Sequence, residues 1–433
     1  MHLAAKPDPY TALRYPSFRY FVIGRTLFMM AVQMQNIAVS WEIYQRLKSN
    51  PRQAAVALGI IGLVQVVPVF VLAIPAGHIA DRFDRLRIIM VTQLVFVFST
   101  LALLVVSHMD APVLAYYIIL FLGTVGRSFI GPAVSALPSM LVPRAALPNA
   151  STWSSMGMQI PAMAGPALGG ILIAAAGATI AYSLNLVLAL ASFALFGLTI
   201  PIANRVAARE PVTVNSILGG VRFVFGAKLL LAVLTVDLFA VLLGGVTALL
   251  PIFATDILHM GALGFGFLRA APAMGAVSMA ILTAHLPPWT HAGRAVLSAI
   301  AAYGLATLAF GLSKWFWLSM LSLFLIGAFD NISMVIHQTI TQMITPDKMR
   351  GRVAAVSMIF ISSSNELGQF ESGITAGWMG PVGSAVFGGV GTLCVVALAA
   401  VLFPELRHLG RLHDINAVEI DKATEEQLME TSA

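Results

Sequence analysis

The stretch Ala76–Arg87 reads A-G-H-I-A-D-R-F-D-R-L-R, and a long apolar run lies on each side of it. A short charged connection between two apolar runs is typical of a membrane protein, because arginine is retained on the cytoplasmic side of the bilayer. Gly77 lets helices approach closely, and Asp81 can cap or pair at a helix end. The stretch therefore predicts a hairpin between two membrane helices. It acts either as a loop that only fixes orientation or as a gating loop, whose residues are Gly77, Asp81, Arg82 and Arg85.

The composition places the whole chain in the membrane class. Of the 433 residues, 58% are hydrophobic and only 10% are charged, and the mean hydropathy is +0.88. A soluble domain carries about 25% charged residues. The pI of about 9.6 does not indicate a nucleic-acid partner, because the charges lie between the apolar runs. The lone Cys394 excludes an intrachain disulfide and a cysteine-cluster metal site, and we predict no metal and no cofactor.

Apolar runs of about 20 residues predict membrane-spanning helices, and the chain has twelve of them. No cleavable signal peptide is expected, because Met1–Arg19 is polar and the first apolar run is long. We place the spans at 18–44, 55–76, 88–107, 112–133, 154–176, 179–200, 229–253, 264–286, 295–312, 315–342, 353–377 and 382–403.

The distribution of lysine and arginine predicts the orientation. With the N-terminus inside, eighteen of these residues fall in inside segments and four in outside loops. This bias predicts that both termini are cytoplasmic and that the protein lies in the inner membrane. The four outside residues are Arg46, Lys48, Arg52 and Lys314.

The longest internal polar stretch divides the spans into two sets of six. We predict an N-terminal six-helix bundle at 1–200, a cytoplasmic linker at 201–228, a C-terminal six-helix bundle at 229–411 and a disordered tail at 412–433. Within the linker, Ser216–Phe225 is expected to form an interfacial helix. Repeated halves that enclose a cavity are a transporter architecture.

Three motifs together resemble the major facilitator superfamily over the chain to about Arg411. G-H-I-A-D-R-F-D-R resembles its G-x-x-x-D-R-x-G-R-[RK] loop, with Asp84 at a usual glycine and Leu86 at a usual basic residue. The others are Arg127, in G-R-S-F-I-G-P-A, and the fifth-span run G-P-A-L-G-G at Gly165–Gly170. The fifth-span run resembles the motif of the superfamily's exporters. The resemblance is strongest to the enterobactin-exporter-like and macrolide-efflux-like branch. It implies an all-α membrane fold of twelve helices in two six-helix bundles.

Residues that carry this closer likeness are spread along the chain. They are Phe18-Arg19-Tyr20-Phe21, Pro132-Ala133, Leu137-Pro138, Arg350-Gly-Arg-Val353 and Asn365-Glu-Leu-Gly368.

Ionisable and polar residues inside the first bundle are candidates for transport, because such groups are costly in a bilayer unless paired or hydrated. Arg25 lies near the inner surface, where it either snorkels or pairs. Gln33 and Asn36 share a helix face near mid-membrane. Arg127 lies deep in the fourth span, where it either binds an anionic group or holds a carboxylate. The resemblance also implies a functional arginine in that span. Glu42 is expected to snorkel to the outer surface.

The second bundle holds the carboxylates. Asp237 lies in the seventh span with no basic residue one turn away in sequence, and a desolvated carboxyl is a proton-carrier candidate. Asp330 and His337 are seven apart on the tenth span and share a face. Glu366 and Glu371 point about 140° apart on the eleventh span. We favour Glu366 as cavity-facing, because it forms a polar arc with Asn365 and Gln369.

The run Gly165, Pro166, Gly169 and Gly170 also has a physical role of its own. Gly165 and Gly169 are four apart and form a flat helix face for close packing. Pro166 removes one backbone hydrogen bond and bends the helix. The run serves either plain helix packing or a rocking motion of the bundles.

These features predict a monomeric secondary transporter that exports a small organic molecule, siderophore or drug-like, by alternating access with proton antiport. Its partners are the substrate, protons and the lipid bilayer. An importer of a nutrient or metal chelate, or a lysolipid flippase, on the same fold is the alternative. The chain has no G-x-x-x-x-G-K-[ST] loop, no H-E-x-x-H pair and no G-x-S-x-G elbow, so we predict no ATP hydrolysis and no enzymatic activity.

Overall fold

A computed structural model describes residues 8–109, 111–200, 214–286, 291–346, 349–404 and 406. These residues are almost entirely helical, and no β-strand occurs among them. The helices are α1 (Pro16–Leu47), α2 (Pro51–Arg82), α3 (Arg85–His108), α4 (Val113–Ser128), α5 (Ile130–Ala136), α6 (Pro138–Leu141), α7 (Leu147–Ala176), α8 (Ala178–Gly197), α9 (Val214–Gly226), α10 (Lys228–Leu243), α11 (Leu250–Ile252), α12 (Gly261–His285), α13 (Ala292–Leu312), α14 (Phe316–Ile344) and α15 (Arg350–Leu402).

The predicted all-α membrane fold is confirmed. Within the described ranges, ten segments are long and apolar enough to cross a membrane. The 32-residue α1, which covers the predicted first span, is not among the ten. The 53-residue α15 counts once but contains both of the last two predicted spans. When α1 is added and α15 is divided, every predicted span falls on helical segments, although 112–133 is interrupted at Phe129 and 229–253 at Gly244 and Gly245.

A glycine divides α15. Gly380 has φ 81° and ψ 165° inside a segment of otherwise helical backbone, and Pro381 follows it. At 1.5 Å per residue the whole segment would be about 80 Å long, far more than a bilayer thickness, so the chain must turn there. Gly177, between α7 and α8, has nearly the same conformation, with φ 83° and ψ 171°. Each glycine follows 30 helical residues, which begin at Leu147 and at Arg350.

The described residues group into two compact units. The first is drawn from Met1–Glu42 and Val71–Pro211, and the second from Ile43–Phe70 and Val212–Ala433. The segment Ile43–Phe70 thus belongs with the second unit, although it precedes most of the first in sequence. The domain boundaries expected from the sequence stay a prediction. Residues 201–213 and 407–433 lie outside the described residues, so the predicted tail does too.

The core of the first unit is built from aromatic and aliphatic side chains of α1, α3 and α8. Phe28 packs edge-on against Phe96 with ring centroids 5.0 Å apart, and Phe21 packs against Phe196 at 6.1 Å. All four rings are almost fully buried. These rings hold α1 between α3 and α8, the helices that carry the buried polar residues described below.

In the second unit, α12 and α14 cross at two glycines. A Cβ added to Gly275 would lie 1.8 Å from the carbonyl oxygen of Phe324, and one added to Gly327 would lie 1.9 Å from that of Pro272. Only glycine permits so close a backbone approach. The crossing brings the polar middle of α14 against its neighbours. Ser216–Phe225 is helical as part of α9, and its location at the membrane interface stays a prediction.

Two helices meet in a tight turn within Ala76–Arg87, as predicted, but the turn is shorter than expected. Helix α2 continues through Gly77 to Arg82, and α3 begins at Arg85, so only Phe83 and Asp84 connect them. The side chain of Asp84 accepts a hydrogen bond from the Arg87 backbone amide, 2.9 Å away, and caps α3. Asp84, which stands where the superfamily loop usually has glycine, therefore caps α3. The side chain of Asp81 lies outside what the structure describes.

Candidate functional site

The second unit holds a buried group of three polar side chains between α10 and α14. Asp237 is 8% exposed and His337 is 1% exposed. The Ser333 hydroxyl donates to Asp237 Oδ1 at 2.9 Å, and His337 Nδ1 lies 3.7 Å from Asp237 Oδ2. Ser333 and His337 are four apart and share one face of α14. No basic residue lies one turn from Asp237 on its own helix, as predicted. His337 of the neighbouring helix α14 is instead its basic neighbour.

Asp330 extends this group by one turn of α14. It is partly buried, and its charge interacts with that of Asp237. The ring of Tyr303, from α13, lies within electrostatic range of both acids, and its hydroxyl donates to the Gly244 carbonyl at 3.3 Å. Two carboxyl groups, a histidine and two hydroxyls thus share one buried region. Such a region can hold and pass on a proton.

Two oppositely charged side chains, one on α12 and one on α15, lie within electrostatic range of each other. The charge of Arg269 interacts with that of Glu366, and both side chains are partly buried. Gln369 also donates to Glu366 Oε2 at 3.0 Å. Sequence reasoning did not select Arg269 as a candidate. Its position within the predicted span 264–286 was the available signal, because an arginine inside a membrane is energetically costly. Glu366 therefore has a cationic neighbour, which the polar-arc argument did not anticipate.

The other candidates of α15 bond within their own helix. The Asn365 side chain is exposed and donates to the Ile361 carbonyl at 3.0 Å. Glu371 is partly buried, and its backbone carbonyl accepts from the Thr375 hydroxyl at 3.0 Å. Among the described residues, no hydrogen bond links the side chain of Asn365 or of Glu371 to Asp237. Their roles in transport stay predictions.

Two arginines of the first unit have polar neighbours. Arg25, partly buried on α1, places Nη2 2.9 Å from the Met158 sulfur of α7. Arg127 donates to the Thr124 hydroxyl at 3.4 Å, one turn earlier on α4. Whether either arginine contacts substrate stays a prediction.

The fifth-span run is a closely packed part of α7. Gly165, Pro166, Gly169 and Gly170 are all buried in the continuous helix α7. A Cβ added to Gly165 would lie 2.7 Å from Gln33 Cβ, and one added to Gly169 would lie 3.2 Å from Ile37 Cγ2. The flat face of α7 therefore packs on α1. Gln33 and Asn36 are partly buried there.

Sequence reasoning missed a buried polar network in the first unit. Gln35, which is 5% exposed, accepts from Thr100 at 3.2 Å and from Asn185 at 3.4 Å, joining α1, α3 and α8. Glu42 is not a snorkelling group, because it accepts from Ser107 at 2.5 Å and from Tyr182 at 3.1 Å. Only tertiary packing brings these residues together.

Metal binding has no visible basis in the described ranges. Among those residues, no group of three or more histidine, cysteine, aspartate or glutamate side chains could hold an ion.

The sequence matches known transporters along almost its whole length. A profile of the transmembrane secretion effector family matches residues 8–431. The chain is 25% identical to the enterobactin exporter of Escherichia coli (strain K12) over 401 residues, which cover 91% of this chain and 93% of that protein. It is also 25% identical to the enterobactin exporter of Citrobacter koseri over 400 residues, with the same shares covered.

Solved transporter structures share the fold. A bacterial homologue of the human lysosomal transporter Spinster, solved inward-facing and unoccupied, aligns with a TM-score of 0.69 at 15% identity and covers 93% of this chain and 99% of that one. The peptide-transporter-family protein PepTSo aligns with a TM-score of 0.67 at 13% identity, covering 90% and 98%. At such identities these structures show the fold alone.

Proposed function

This chain belongs to the transmembrane secretion effector family of the major facilitator superfamily, and we propose that it exports a small organic molecule in exchange for protons. It is a multi-pass membrane transporter and not an enzyme. The exporting direction is supported by the enterobactin exporters it resembles and by the G-P-A-L-G-G run of α7. Cytoplasmic termini are supported by the lysine and arginine bias.

The observation that carries the proton step is the Asp237–Ser333–His337 group. Asp237 and His337 are buried on facing helices, and each can bind one proton. In the proposed cycle the Asp237 carboxyl takes up a proton when the site is open to the acidic compartment. It releases the proton when the site opens to the cytoplasm. Ser333 holds the carboxylate in place by its hydrogen bond.

The Arg269–Glu366 pair supports a substrate with an acidic group. An arginine fork binds carboxylates and phenolates well, and a substrate anion can replace Glu366 as its partner. This exchange would favour amphipathic, partly anionic molecules such as siderophores. A drug-like cation is expected to interact with Glu366 instead.

Transport into inverted vesicles tests the proposal. We expect candidate siderophores or drugs to accumulate only when the lumen is acidic. Asp237→Asn and Glu366→Gln should each abolish gradient-driven accumulation, and Asp237→Asn should retain exchange at equal pH on both sides. Asp84→Asn is the matched control, because asparagine caps a helix about as well as aspartate.

Four results would contradict the proposal. Gradient-independent accumulation would remove the antiport, and full gradient-driven transport by both variants would show that other acids carry the coupling. Accumulation of lysolipids with no siderophore or drug transported would favour the flippase alternative. Uptake only into right-side-out vesicles would favour an importer.

A further inference from the structure

A long groove lies on the surface of the first unit, between the end of α2 and the helices α3 and α4. Its volume is about 860 Å³ and its lining is almost entirely apolar. Val91, Phe98 and Leu122 line it and are more than half exposed. Uncovered apolar side chains along membrane helices are suited to contact with acyl chains.

One end of the groove is cationic. Arg87, in the first turn of α3, lines that end and is exposed. Its side chain makes no hydrogen bond or ion pair with the side chains that the structure describes. Its neighbour Arg85 instead reaches Met140 on α6, 3.6 Å away. The Asp84 carboxylate beside it is engaged by the Arg87 backbone amide as the cap of α3.

The length of the groove suits a lipid tail. Arg87 and Ala102 line its two ends on α3, and fifteen residues of helix separate them by about 22 Å. One leaflet contributes about 15 Å of hydrocarbon, so an acyl chain that starts at Arg87 lies within the groove along its whole length.

We propose that this groove binds one anionic phospholipid of the surrounding bilayer, with its phosphate on Arg87 and an acyl chain along α3 and α4. The charge complements the headgroup, since a guanidinium binds phosphate through paired hydrogen bonds. The apolar lining complements the tail. The groove contains none of the residues assigned to proton coupling or to substrate, so the proposal does not depend on the proposed function.

Lipid add-back with native mass spectrometry tests the proposal on the full-length protein. Delipidated protein in mild detergent is titrated with phosphatidylglycerol or phosphatidylethanolamine. We expect preferential binding of phosphatidylglycerol, weakened about fivefold by Arg87→Gln, restored by Arg87→Lys and unchanged by Arg144→Gln, an exposed arginine elsewhere on this unit.

Bulk added inside the groove tests the position of the tail. Ala102→Phe and Val91→Phe should reduce phosphatidylglycerol binding, and Val187→Phe, an exposed residue of α8 outside the groove, should not. Val91 is already exposed, so this variant remains informative if Ala102→Phe fails to fold. Equal binding of the two lipids, or equal binding by Arg87→Gln and Arg144→Gln, would overturn the proposal. Displacement of the lipid by a transported substrate, or contact of the groove with a second copy, would overturn it as well.

Discussion

His337 Nδ1 lies 3.7 Å from Asp237 Oδ2, although the two residues are a hundred positions apart in the chain. Both are almost completely buried. An acid and a base this close inside a membrane protein act as one electrostatic unit, because the charge of either changes the energy of the other. The unit is the strongest candidate for proton coupling in the described part of the chain.

Removal of the Ser333 hydroxyl should weaken this unit. Ser333→Ala leaves Asp237 Oδ1 without its 2.9 Å donor, and losing such a buried bond typically destabilises a protein by about 1–3 kcal/mol. We expect a lower thermal unfolding midpoint and slower gradient-driven transport. Ser322→Ala is the control on the same helix, because the Ser322 hydroxyl donates to the Leu318 carbonyl of its own helix. Equal effects of the two substitutions would contradict a special role for Ser333.

Arg269 and Glu366 should stabilise each other. Arg269→Gln and Glu366→Gln each leave one charge uncompensated in the membrane, and the double variant removes both charges. We expect the double variant to lose less stability than the sum of the losses in the two single variants. The difference, which is the coupling energy, should be about 0.5–3 kcal/mol.

The thermal midpoints of the four proteins measure this coupling. Arg294→Gln, an exposed arginine at the start of α13, should be additive with Glu366→Gln. A coupling near zero for the Arg269 pair would show that the two charges do not act on each other.

Gly380→Ala should destabilise the protein through the backbone alone. The conformation of Gly380, with φ 81° and ψ 165°, is nearly restricted to glycine, and other residues there cost about 1–3 kcal/mol. No atom lies within 4 Å of an added Cβ, so a steric clash with neighbours does not contribute. Gly131→Ala has the same free space but helical backbone, and it should be neutral or stabilising. Calorimetry in detergent compares the two, and a stabilised Gly380→Ala protein would refute the argument.

Tyr44→Phe should loosen the contact between the end of α1 and the π-helical turn Phe253–Ile257. The buried Tyr44 donates its hydroxyl to Asp256 Oδ1 at 2.5 Å, a bond to a carboxylate worth about 1.5–3 kcal/mol. We expect a lower unfolding midpoint and faster hydrogen exchange in residues 253–257. Asp256→Asn should have a smaller effect, because its amide oxygen still accepts a hydrogen bond. Tyr10→Phe, at an exposed tyrosine, is the control and should change neither measurement.

The spans were predictable because length and hydropathy alone determine which segments can cross a bilayer. The helix ends at Ala76–Arg87 were misplaced, because the charged residues were taken as a sign of loop. Charged residues at the end of a membrane helix lie at the water interface and remain helical there, as Arg82 does on α2. The cap at Asp84 is a local signal that the argument overlooked.

The candidate site was predictable only in its parts. Asp237 and His337 were each identified, since an intramembrane ionisable residue is a candidate by itself. Their pairing was not, because it depends on how α10 and α14 pack, and no local pattern encodes that contact. Gln35 was missed because a local pattern pointed elsewhere. Gln33 and Asn36 share one face of α1, but it is Gln35 that accepts the buried hydrogen bonds.

Gly177 and Gly380 hold the same rare backbone conformation at the same distance along their helices. In both places the glycine ends one 30-residue membrane helix and starts the next, so the return of the chain across the bilayer depends on one backbone conformation. The neighbouring residues, A-G-A and M-G-P, share only that glycine.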